Sequence, residues 1–184
     1  MKTIIMATCL TSTIVALGLS QANASNSKPY FPTSPWQSHY SITKNKTSPV
    51  YRQEWQRSKY RSCPILAIPT KAAVHLKTAR SRAANFSDGW GVAYDVAKYS
   101  NGKRLRSAYG VANAGKTKLS DIYAWPDQRT HADGSFVTWG REGNNPNGQF
   151  LAYIVLDNGC FYNLWSKVSN THLQNMIGAL RYVK

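Results

Sequence analysis

The sequence predicts an α+β fold: an antiparallel β-sheet built from hairpins, a C-terminal helix packed on it, and a poorly ordered N-terminal arm in front. Three observations carry this prediction. Phe150 to Asp157 and Cys160 to Val168 are β-rich runs on either side of Asn158-Gly159, and Asn-Gly is the strongest short hairpin signal because both residues tolerate the positive φ of a type I′ turn. Leu173, Met176, Ile177 and Leu180 then recur at helical spacing behind Ser169, a good N-cap. Between Ser25 and Ser62, by contrast, Pro29, Pro32, Pro35 and Pro49 stand among many Ser and Thr and few aliphatics, a composition that buries too little apolar surface to offset the entropy of ordering.

The chain opens with Lys2, an apolar stretch through Leu19, and Ala22-Asn23-Ala24. A positive start, an apolar middle and a small-x-small exit make a secretory signal peptide over residues 1–24. Thr8, Thr11, Ser12 and Thr13 interrupt the stretch, and a permanent span needs about 20 predominantly apolar residues, so cleavage after Ala24 is the reading. No integral span is then expected in the mature chain. The expected location is the periplasm or the cell exterior, and the domain plan is leader 1–24, basic and aromatic arm 25–62, and one α+β domain 63–184.

The arm carries Tyr30, Phe31, Trp36, Tyr40, Tyr51, Trp55 and Tyr60. Aromatics at that density pack on something, either the domain itself or a partner. Pro64 to Pro69 is a short apolar run bounded by prolines, suited to an edge or connecting strand. From Thr70 to Ala84 the apolar residues Ala72, Leu76, Ala79 and Ala83 share a helical face, which predicts a helix with a thin apolar stripe. Gly89 to Val96 reads as a strand, with Leu105 to Ala112 as its partner across a loose or bulged hairpin at Asn101-Gly102. Asp133-Gly134 opens a further strand over Ser135 to Gly140, and 144–148 reads as a loop.

Cysteine usage and charge set the functional class. Beyond the leader only Cys63 and Cys160 remain, and an even pair in an exported chain predicts one disulfide. That bridge removes the obvious thiol nucleophile. The chain has 23 Lys+Arg against 8 Asp+Glu, a net charge of +15. Such a field attracts polyanions, anionic surfaces and acidic proteins.

The richest candidate surface is Tyr51 to Arg61, where cations and aromatics alternate. Arg52, Trp55, Arg57, Lys59, Tyr60 and Arg61 are the expected binding residues: cations neutralise phosphates or carboxylates, and aromatic faces stack on bases or sugar rings. Lys71, Lys77, Arg80 and Arg82 form a second basic group, and Lys103, Arg104 and Arg106 a third. Their convergence in space would strengthen a polyanion-binding reading.

Catalytic resources are thin. His131, Arg141 and Glu142 are the catalytic candidates: a His, a carboxylate and an Arg can serve as acid, base and phosphate clamp in metal-independent nucleic-acid cleavage. No metal is expected, because His39, His75, His131 and His172 lack paired ligand spacing. No cofactor is expected either, since Ala114-Gly115-Lys116-Thr117 lacks the upstream glycine of a phosphate-binding loop. The first expectation is therefore an exported basic binding protein with an anionic partner: an envelope polymer, a membrane surface, nucleic acid or an acidic protein. A secreted nuclease or related hydrolase is the second, and a periplasmic inhibitor or immunity protein the third.

Overall fold

The computed structural model describes residues 30–84, 89–100, 102–143 and 148–184. The expected leader, 1–24, and the first residues of the expected arm, 25–29, lie outside the described residues.

The architecture is an antiparallel sheet with helices on one face. Strands β2 (Ala79–Ala83), β3 (Trp90–Val96), β4 (Leu105–Lys116), β5 (Asp127–Thr130), β6 (Phe136–Arg141), β7 (Phe150–Val155) and β8 (Cys160–Ser166) assemble in the order β2-β3-β4-β8-β7-β6-β5. Every neighbouring pair is antiparallel. A two-residue ribbon joins β1 (Leu66–Ala67) to β9 (Arg181–Tyr182) beside it. Helix α1 (Pro49–Arg57) packs on β2 and β3, and helix α2 (Asn170–Ala179) on β7 and β8.

Local chemistry explains these elements. Gly159 has φ 80°, so the β7–β8 turn falls where a glycine adopts the left-handed backbone freely. Ser169 caps α2 by accepting from the His172 N–H, and Leu173, Met176, Ile177 and Leu180 are all buried beneath it. The β3–β4 pairing shifts register between Tyr94 and Val96, an irregularity in the hairpin that was expected to be loose or bulged.

Period-two alternation sorts the side chains. Trp90, Val92, Tyr94 and Val96 of β3 face the main core with Tyr109, Val111, Tyr162, Leu164 and Ile154. The opposite face carries a smaller cluster of Ala93, Ala112, Leu151 and Trp165, with Trp125 packed against it. Gly110 lets the Trp165 ring lie against the sheet, because a Cβ there would stand 2.2 Å from a ring carbon. The disulfide forms between Cys63 and Cys160, with Cα atoms 5.6 Å apart, and ties the entry segment to the start of β8.

Two expectations are corrected. Residues 70–84 are not helical: the chain turns and then forms β2. The stripe was too thin to cover a helix face, whereas β2 gains a ladder on β3 and alternates Arg80 and Arg82 outward with Ala79, Ser81 and Ala83 toward the core side. Residues 30–62 also differ from an extended arm. Trp36 and Tyr51 are wholly buried in the main core, and α1 begins at Ser48-Pro49 with the Ser48 hydroxyl accepting from the Val50 N–H. Proline is well tolerated at the first helical position, since its missing N–H has no intrahelical partner there.

Candidate functional site: a cationic groove beside helix α1

The main groove is built from three segments far apart in sequence. Helix α1 forms one wall. It presents Arg52, Gln53 and Gln56 and turns Tyr51 inward, where the phenol hydroxyl accepts from the Ile68 N–H at 3.3 Å. Burial pushes the Tyr51 phenol up to about 12, so it stays neutral at any ordinary pH. Trp55 is half-buried and its indole N–H donates to the Cys63 carbonyl at 2.9 Å. That bond clamps the helix to the segment leaving the disulfide.

Pro64, Ile65, Val183 and Lys184 form the other wall. The Val183 N–H donates to the Ile65 carbonyl and the Lys184 N–H to the Ile42 carbonyl, at 3.1 and 2.9 Å. These bonds carry the end of the chain across to the short 3-10 turn Lys44–Lys46, which closes the groove. The groove has a volume of about 750 Å³. Lys44, Arg52 and Lys184 line it, and no Asp or Glu does.

Of the six expected binding residues, the structure brings Arg52 and Trp55 into this groove. Arg57 leans along the helix to Glu54 at 3.2 Å. Lys59 and Arg61 are exposed beyond the helix end, and the Tyr60 ring lies against Gly115 of β4. Sequence reasoning missed Lys44, Lys184, Gln53 and Gln56. The helix itself had a signal, a Ser-Pro start ahead of a proline-free polar run, but nothing local connects Lys44 with Lys184.

The second and third basic groups converge in part. Arg80 and Arg82 of β2 and Arg104 from the β3–β4 hairpin line one pocket of about 440 Å³ with Asp95 at its base. Lys71, Lys77, Lys103 and Arg106 are exposed outside it. Asp95 accepts from Arg82 Nε at 3.2 Å, from Arg104 Nη2 at 3.1 Å and from the Ser107 N–H at 2.8 Å. Burial alone would raise the Asp95 carboxyl, but the Ser107 N–H and the two guanidiniums hold it below its ordinary 3.8.

The catalytic candidates are not brought together. His131 is buried at the turn before β6, with Nδ1 toward the Pro32 carbonyl at 3.2 Å and its ring against Trp36. Burial lowers its pKa, with the Arg129 charge adding to the effect. Arg141 and Glu142 lie at the far end of β6, six residues along, which is roughly 20 Å of extended chain. There the Arg141 guanidinium sits over the Phe150 ring at 4.5 Å. Among the described residues, no group of three His, Cys, Asp or Glu is placed to hold a metal ion, and no helix is long and apolar enough to cross a membrane.

Comparison of the chain with protein-family models, with curated proteins and with solved structures found no match.

Proposed function

We propose that this is an exported cationic binding protein that holds an anionic partner in the groove beside α1. One observation carries the reading: the Lys44, Arg52 and Lys184 side chains come from three separate segments to line a single groove with no Asp or Glu side chain among its lining residues. Like charges gathered in this way repel one another in the empty protein, and an anion relieves that repulsion. The walls are apolar where Pro64, Ile65, Val183 and Trp55 contribute. They shield a bound anion from water and strengthen each contact. Export is supported by the leader-like opening of the sequence and by the disulfide, which persists in oxidising compartments.

Two triple variants of equal charge test this. Lys44→Ala/Arg52→Ala/Lys184→Ala empties the groove of cations, while Lys71→Ala/Lys77→Ala/Lys118→Ala removes the same charge from exposed positions elsewhere. On a heparin column the groove variant should elute at clearly lower salt than the surface variant. It should also lose up to about two units of salt slope against a single-stranded oligonucleotide, about 0.7 for each contact removed. Equal behaviour of the two variants would mean that only the overall field matters and would end the groove reading.

A further inference from the structure

We propose that Arg80, Arg82 and Arg104 form a second oxyanion subsite on edge strand β2, so that the partner of the groove is a linear polymer of tetrahedral oxyanions rather than a single small anion. The inference rests on the groove reading above and extends it.

The subsite is organised before any ligand arrives. Arg80 and Arg82 are two residues apart on β2 and therefore project from the same face of the strand. Arg82 is held through each of its three nitrogens: Nε to Asp95, Nη1 to the Ala83 carbonyl at 2.9 Å and Nη2 to the Ser107 hydroxyl at 2.7 Å. It acts as a fixed positive wall. Arg104 spends one Nη2 contact on Asp95, and its side chain is 62 % exposed. Arg80 is exposed and lies opposite Asp95 in the strand register. Fixing guanidiniums in advance lowers the entropy lost on binding.

The charge balance selects the ligand. Three guanidiniums over one carboxylate leave a surplus of two positive charges in the pocket. A lone carboxylate neutralises half of that, whereas a phosphate or sulfate group brings more charge and the tetrahedral oxygens that arginine forks grip in pairs.

The connection to the groove selects a polymer. Ser81 stands between the two arginines on the opposite side of β2, and its hydroxyl lies 2.8 Å from that of Ser48. Ser48 lines the groove and Ser81 lines the arginine pocket. The two basic sites thus adjoin at this serine pair on edge strand β2. A chain of anions leaving the groove at Ser48 crosses that edge directly onto Arg80.

Chain-length dependence tests the proposal. Binding of tripolyphosphate, long-chain polyphosphate and a matched length series of heparin oligosaccharides is measured for four proteins: wild type, Arg80→Ala/Arg104→Ala, Lys44→Ala/Arg52→Ala, and the control Lys71→Ala/Lys77→Ala. Arg82 is left in place to keep the fold intact, and circular dichroism checks each variant. In the wild type, affinity rises steeply with length in the phosphate or the sulfate series, and the series that shows the rise names the anion. Both site variants lose about tenfold or more on the long chains, because simultaneous occupation of two sites is lost, while the control loses much less. If Arg80→Ala/Arg104→Ala matches the control, the subsite is wrong while a loss in the groove variant still upholds the groove. If the groove variant alone matches the control, the bridging chain and the groove reading both fall. If no series shows a length-dependent gain, the polymer inference is overturned.

Discussion

Asp95 shows how much one side chain organises here. Its carboxylate gathers Arg82, Arg104 and the Ser107 N–H, and Ser107 is held at φ 45°, the one non-glycine residue with positive φ among those described. Backbone in that region is strained and persists only when its surroundings hold it. Asp95→Asn keeps the shape but removes the charge, so it should destabilise the fold by about 1–3 kcal/mol, read as a lower urea midpoint at neutral pH. Because the folded carboxyl titrates below 3.8, its contribution is complete above that value and is lost as pH falls through the lower folded value. The variant should show less of that acid-side loss. None of this was legible in the sequence, where Asp95 is one residue of a strand and its two arginines lie 13 and 9 positions away.

At the scale of elements, the half-buried His75 and the buried His172 tie the turns before β2 and helix α2 to the sheet. His75 places Nε2 on the Pro69 carbonyl and Nδ1 on the Tyr109 hydroxyl; His172 places Nε2 on the Val74 carbonyl and Nδ1 on the Ser166 hydroxyl. A carbonyl only accepts, so Nε2 carries the proton in each and Nδ1 accepts from a hydroxyl. A second proton would turn that acceptor into a donor. Burial accordingly lowers both pKa values from 6.5, and lowers that of His131 in the same direction. Folded histidines that resist protonation leave stability complete above 6.5 and reduce it as pH falls below, where the unfolded chain takes up protons first. The urea midpoint should therefore fall between about pH 7.5 and about pH 5.5, and His75→Gln/His172→Gln should flatten that fall. An unchanged midpoint in the wild type would contradict the assigned protonation. Elements with strong local signals were legible: the Asn158-Gly159 hairpin and the capped α2. β2 was not, because its alternation of Ala and Arg mimics a helical stripe until β3 supplies its backbone partners.

For the molecule as a whole, the Cys63–Cys160 bridge closes a loop spanning 97 positions. In the chain-entropy picture, removing such a crosslink costs roughly 4 to 5 kcal/mol. Cys63→Ala/Cys160→Ala should lower the denaturation midpoint accordingly, with the wild type in reductant falling toward the same value. The groove should loosen as well, since Trp55 hangs from the Cys63 carbonyl. Fluorescence of that tryptophan, read in a variant lacking the other half-buried indoles, Trp125 and Trp139, would report it.

By itself the sequence determined the α+β class, the main hairpins, the capped C-terminal helix, the cysteine pair and the excess of cations, because each of these follows from residue type and short-range spacing. Tertiary structure decided that Trp36 and Tyr51 belong to the core, that residues 79–83 pair as an edge strand, and that Lys44, Arg52 and Lys184 share a groove while His131 stays apart from Arg141 and Glu142. Those outcomes depend on which backbone and apolar surfaces meet across long loops, and contacts of that kind leave no mark in local pattern.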